Sequence, residues 1–178
     1  MHNLFFAIQP PPEVAARISA LTEGLGQRHG LTGRPLAPER LHISLNSLGE
    51  HQGMPDELIV KASKAASDVA MPPFVVALDR VASFQVKADL RPVVIFGDDG
   101  VIGVNLLHTA IHMALNYARL IPNHERAIAP HLTLVRDRTE VPEEQIEAVS
   151  WRVREFVLIH SPYGEGRHNV LGRWRLKG

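Results

Sequence analysis

The sequence predicts a mixed α+β domain of antiparallel strand pairs with helices packed on their outer faces. Three observations predict it. Short apolar runs bounded by Pro and Gly alternate with longer segments whose apolar residues recur every three or four positions. Two strand candidates, Phe74 to Val81 and Pro92 to Phe96, are joined by a short connection over Ser83 to Arg91, as in a hairpin. One five-residue pattern occurs twice, as Leu41-His42-Ile43-Ser44-Leu45 and as Pro130-His131-Leu132-Thr133-Leu134, which suggests two similar halves of one fold.

In chain order, Leu4 to Ile8 is short, apolar and aromatic and ends at Pro10-Pro11-Pro12, so it reads as a buried strand. The prolines suit a first helical turn, and Val14, Ile18, Leu21 and Leu25 give the following helix an apolar stripe that Gly26 and Gly30 end. The loop to Pro38 carries Arg34 and leads into the first His segment; Gly49 and Gly53 mark the loop after it. A second helix is expected from about Pro55 to Ala70, broken by Met71-Pro72-Pro73. After the hairpin, Gly97-Asp98-Asp99-Gly100 is a turn, and Val104, Leu107, Ile111 and Leu115 keep helical spacing between about Ile102 and Arg119. The loop from Ile121 to Pro130 precedes the second His segment, which Arg136 and Arg138 close. Pro142 to Val149 is read as a short helix, and Trp151 to Ile159 and Asn169 to Leu176 as the last strands.

The chain has 178 residues, formal net charge zero and no cysteine. That fits one domain of residues 1–178 with an ordinary core. It excludes disulfides and thiolate chemistry, and it excludes a broad basic field able to hold duplex nucleic acid by counterion release. The N-terminal segment lacks the features of a signal peptide and no run approaches a membrane span, so a cytoplasmic, monomeric enzyme without membrane contact is expected.

The repeated pattern carries the chemistry. On a strand, side chains alternate between faces, so His42 and Ser44 share one face opposite Ile43 and Leu45, and His131 and Thr133 share one opposite Leu132 and Leu134. The composition predicts about 0.15 chance copies of the pattern in a chain this long. If the strands are neighbours, two imidazoles face one groove, an arrangement for paired general acid and base catalysis near neutral pH. Strict alternation puts Arg136, five residues past His131, on the opposite face unless the strand bends. No cofactor and no metal is required, since imidazolium and protein donors can carry the charge.

With both motifs in place, the chain resembles the two-histidine (2H) phosphoesterase superfamily and, within it, the RNA 2′,3′-cyclic phosphodiesterases, historically called 2′-5′ RNA ligases (LigT-like). The resemblance rests on the opening Leu4-Phe5-Phe6-Ala7-Ile8, on both His motifs, on Leu48-Gly49-Glu50, Leu107-His108 and Arg136, and on the closing Leu171-Gly172-Arg173-Trp174-Arg175-Leu176. It implies a bilobal fold of two pseudo-symmetric antiparallel sheets with outer helices and a central groove. It also implies hydrolysis of a terminal 2′,3′-cyclic phosphate to a 2′-phosphate, together with an ATP-independent 2′-5′ RNA ligase activity. His42 would act as general acid and His131 as general base, while Ser44, Thr133 and Arg136 would bind the phosphate. The family often carries an aromatic residue two places after the first motif, where Asn46 and Ser47 stand here.

Two other substrate readings share the groove chemistry: a small cyclic nucleotide and a 2′-5′ oligonucleotide. A non-catalytic module that binds RNA ends is a further alternative. His108 and His112 are four apart on the third helix, a metal-ligand spacing, but Thr109 stands where a zinc-hydrolase helix has Glu and no third ligand is evident, so a packed helix face is expected. His160 is read as a rim residue that could line the groove. His2, His29, His51, His124 and His168 are read as surface.

Overall fold

The computed structural model describes residues 1–124 and 126–178. Its strands are β1 (His2–Ile8), β2 (Ile43–His51), β3 (Phe74–Ser83), β4 (Arg91–Phe96), β5 (His131–Asp137), β6 (Glu144–Val153), β7 (Glu155–Pro162) and β8 (Asn169–Arg175). Its helices are α1 (Pro12–His29), α2 (Asp56–Ser67) and α3 (Ile102–Tyr117). The strand order is β6-β3-β4-β5-β2-β1-β7-β8, with every neighbour antiparallel. Two four-stranded halves therefore meet edge to edge at β5 and β2. The seam is thin, since its only register pair among the described residues is Ile43 with Leu132.

The two faces of the sheet differ sharply. Leu4, Phe6, Ile8, Ile43, Leu45, Val81, Ile95, Leu132 and Leu134 point to one side and join Val14, Ile18, Leu107 and Ile111 of the helices in a single buried cluster. The opposite face carries a small apolar patch of Phe5, Ala7, Val157 and Ile159 in one half and the buried Val94 in the other. Helix α1 lies over β5 and β6 of one half although it follows β1 of the other, and α3 lies over both β2 and β3. The helices thus bridge the seam that the strands barely hold.

Local chemistry explains the helix ends. Pro12 opens α1, and Gly30 closes it in the left-handed region at φ 68°, its N–H donating to the Gly26 carbonyl. The helix expected over Pro142 to Val149 is instead the start of β6, and the strand expected over Trp151 to Ile159 is split between β6 and β7. The reason is a register shift: Leu78 pairs with Val149, but Arg80 pairs with Gln145. The extra residues in β6 put Ile146 and Val149 three apart, which imitates helical spacing. Beyond the bulge, Val149, Trp151 and Val153 alternate into the core as a strand requires.

Candidate active site

The seam builds the site. Extended by one residue each way from Ile43 and Leu132, the antiparallel register sets His42 across from Thr133 and Ser44 across from His131. All four side chains leave the face opposite Ile43 and Leu132, which are both fully buried against the helices. The two histidines take diagonal positions, which in such a ladder stand about 7–8 Å apart at the backbone.

Both rings are held in the same way. His42 Nδ1 lies 2.7 Å from the carbonyl oxygen of Arg40, and His131 Nδ1 lies 2.8 Å from that of Ala129. A carbonyl only accepts, so each Nδ1 carries the proton and donates it. Each Nε2 is then left free for the groove: bare it is a base, protonated it is an acid. Each imidazole also rests on one phenyl ring. Phe5 is 5.1 Å from His42 and Phe84 is 4.9 Å from His131, centroid to centroid. The two environments still differ. Burial pushes the His42 pKa below its ordinary value against the opposing effect of the Arg40 carbonyl, and the charges of His131 and Arg40 push it further down.

Arg136 is on the groove face, and a bulge puts it there. Val94 pairs with Thr133 while Val93 pairs with Val135, so β5 contains one residue more than β4 at this point. Leu134 and Val135 both enter the core cluster, and the alternation changes phase. Phe96, Val94 and Pro92 consequently share a face with His131, Thr133 and Arg136. The bend that strict alternation required is present. The loop before β2 covers the bulge: Leu36 N–H donates to the Leu134 carbonyl at 2.9 Å, and the Asp137 carboxylate accepts from Thr32 and Gly33 N–H at 2.7 and 2.6 Å. These bonds, with one from Thr139, hold the Asp137 pKa below the usual carboxylate value.

Strand β2 repeats the device. Ala7 pairs with Ser44 and Phe5 with Ser47, so β2 also gains a residue after its motif. Asn46 turns away from the groove, is buried, and donates to the His108 carbonyl on α3 at 3.3 Å. Ser47 faces the groove at the position that corresponds to Arg136. The two halves are therefore alike in their histidines and hydroxyls and unlike where one offers a guanidinium and the other a small hydroxyl.

The other histidines separate clearly. His160 does not line the groove: its partner across β1 is Leu4, on the helix face, where it is buried and lies 2.8 Å from His2 Nδ1. His2 is thereby half-buried rather than a free surface group. His108 and His112 are both buried, with His108 Nδ1 and Nε2 each 3.1 Å from a carbonyl oxygen, of Leu45 and Arg126. Among the described residues no three metal-ligating side chains converge there or elsewhere. His168, read from sequence as surface, belongs to the site instead. Its ring meets His42 and Phe5 edge-on at 5.1 and 5.7 Å, and burial beside His42 and Arg40 pushes its pKa down to about 4. No local pattern marks this residue; only the pairing of β7 with β8 brings its turn across the sheet. Trp151 is a core residue, and Trp174 packs on Phe156 at 5.5 Å.

The chain is 29% identical over 179 residues to a protein of Escherichia coli (strain K12) named RNA 2′,3′-cyclic phosphodiesterase, covering 98% of this chain and 96% of that one. Its fold matches the crystal structure of E. coli LigT in apo form with a TM-score of 0.78 and 28% identity, covering 99% of this chain and 98% of the other. It also matches LigT complexed with 3′-AMP, with a TM-score of 0.76 and 28% identity over 99% of each chain. No helix among the described residues is long and apolar enough to cross a membrane. Residues 10–164 match the family described as the 2′-5′ RNA ligase superfamily, and the chain belongs to that family.

Proposed function

We propose that this protein hydrolyses the 2′,3′-cyclic phosphate that ends an RNA strand, leaving a 2′-phosphate, by acid–base catalysis between His42 and His131. One observation carries the reading: the seam register sets two histidine–hydroxyl pairs on one face, with both Nδ1 atoms committed to backbone carbonyls. The name of the E. coli relative and the 3′-AMP complex of LigT support the substrate class.

Water attacks phosphorus opposite the ribose 3′ oxygen, as in-line displacement requires. The bare Nε2 of His131 takes the water proton, and the protonated Nε2 of His42 gives its proton to the leaving oxygen as the P–O3′ bond breaks. A low His42 pKa makes its imidazolium a strong acid, and the arriving phosphodiester anion favours that protonated form. Ser44 and Thr133 donate to the non-bridging oxygens, and Arg136 supplies positive charge at one end. With a 5′-hydroxyl in place of water as the attacking nucleophile, the same steps break the P–O3′ bond and make a 2′-5′ link without ATP. Each chain carries both histidines, so one chain holds a complete site; the reading takes the enzyme as a cytoplasmic monomer.

Purified protein in EDTA should convert a cyclic-phosphate-ended oligonucleotide to its 2′-phosphate. His42→Ala and His131→Ala should each lower turnover by at least about a hundredfold, the scale of one general acid or base. Unimpaired turnover in either variant removes that histidine from the mechanism.

A further inference from the structure

A cavity of about 210 Å³, lined in part by Arg40, opens on the groove face and has no part in the acid–base chemistry. Its floor is one cross-strand row, Glu50 of β2, Asn3 of β1 and Ser161 of β7, which the register aligns on the face that also carries Phe5. Arg40 forms another side, with its Nε buried and without a hydrogen-bond partner among the described residues. The β7–β8 turn closes over it through two glycines in the left-handed region, Gly164 at φ 77° and Gly166 at φ 64°, and presents Tyr163, 86% exposed, at the rim. Arg40 ties the cavity to the site, because its carbonyl holds the His42 ring.

The volume is below the roughly 300–1,000 Å³ of drug-sized pockets, which suits one planar base better than a whole nucleotide. The lining is polar and two-signed: Glu50 only accepts, Arg40 only donates, and Asn3 and Ser161 do both. Guanine alone among the four RNA bases offers neighbouring N1–H and N2–H donors to one carboxylate, with O6 and N7 acceptors on its other edge for Arg40 and Asn3. We propose that this cavity is a nucleobase subsite that prefers guanine, placing the base of the terminal nucleoside between Glu50 and Arg40. Tyr163 supplies the stacking surface that Asn46, turned into the core, does not.

The inference rests on the proposed catalytic reading only for which nucleoside occupies the cavity, so binding and turnover are measured separately. The 3′-monophosphates of guanosine, adenosine, cytidine and uridine are titrated calorimetrically in EDTA into wild-type and Glu50→Gln protein. Glu50 is exposed at a strand end, and ratios within one preparation are insensitive to any loss of folded protein. The expected result is a Kd for the guanosine nucleotide at least about tenfold below the others, within the range one bidentate contact supplies. Glu50→Gln should bring all four within threefold. Equal affinities in the wild type, preference for another base, or an unchanged guanine preference in Glu50→Gln overturns the proposal. Guanine preference in binding without hydrolysis of any cyclic phosphate upholds the subsite and overturns the catalytic reading; hydrolysis without base preference does the reverse.

Discussion

Asp137→Asn should destabilise the protein and loosen the loop that seats the β5 bulge. Asp137 is 1% exposed and accepts three backbone N–H groups, from Thr32 and Gly33 on Oδ2 and from Thr139 on Oδ1. Asparagine has one oxygen to offer. Whichever way its amide is turned, an NH₂ group faces at least one of these donors, and a buried N–H is left unpaired at a cost of about 1–3 kcal/mol. In a domain of this size that lowers Tm by roughly 2–4 °C per kcal/mol. The pH dependence adds a signature. The carboxyl pKa is depressed in the folded protein, so its contribution is complete above the ordinary aspartate value near 4 and is lost as pH falls through the lower folded value. Urea unfolding followed by tryptophan fluorescence should thus show a gap between wild type and variant that is full at pH 7 and narrows below about pH 4. Equal stability at pH 7, or a gap that does not change with acid, would refute the three-bond account of this loop.

Other expectations follow from the same geometry. A Cβ on Gly33 would stand 2.1 Å from the Arg136 carbonyl oxygen and 2.9 Å from Val135 Cγ2, so Gly33→Ala must push the loop off the bulge. It should raise KM for the cyclic phosphate through a displaced Arg136 while kcat changes less; an unchanged KM would argue against a phosphate role for Arg136. The acid limb of the bell-shaped kcat/KM profile should follow loss of the first proton from the doubly protonated pair, which the depressed His42 pKa draws to low pH even though the reacting form keeps His42 protonated and His131 bare. The His42 ring is faced by His168 from the β7–β8 turn, by Arg40 from the preceding turn and by His131 across the seam. His168→Ala admits water beside His42, relieves its burial and should move that acid limb to higher pH. His168→Phe keeps a ring there and should leave the limb low. An acid limb that stays put in His168→Ala would show that the third ring does not set the His42 environment.

How much of this was legible in the chain depends on where its period of two survives. His42, Ser44, His131 and Thr133 were readable because each pair lies within one short, regular stretch between buried apolar neighbours. Arg136 lies beyond a bulge, and a bulge leaves no mark in composition, so alternation alone put that residue on the wrong face. The bulge in β6 had the opposite effect and made the start of an edge strand look helical. His160 sits on a regular strand, but its face is fixed only by its register with Leu4, a contact between opposite ends of the chain. His168 and the row of Glu50, Asn3 and Ser161 are assembled from three strands and a turn, and no segment contains the arrangement. Residues that act within one element are visible in sequence; those that act across the sheet need the pairing.

The account stands on two imidazoles serving one phosphorus atom from opposite sides. A crystal structure with inorganic phosphate or vanadate bound in the groove tests this most directly. His42 Nε2 and His131 Nε2 should each lie within about 3.2 Å of different oxygens of the same anion, with both Nδ1 atoms still on the carbonyls of Arg40 and Ala129. An anion held by one histidine alone, or rings turned so that Nε2 faces away from it, would contradict the mechanism.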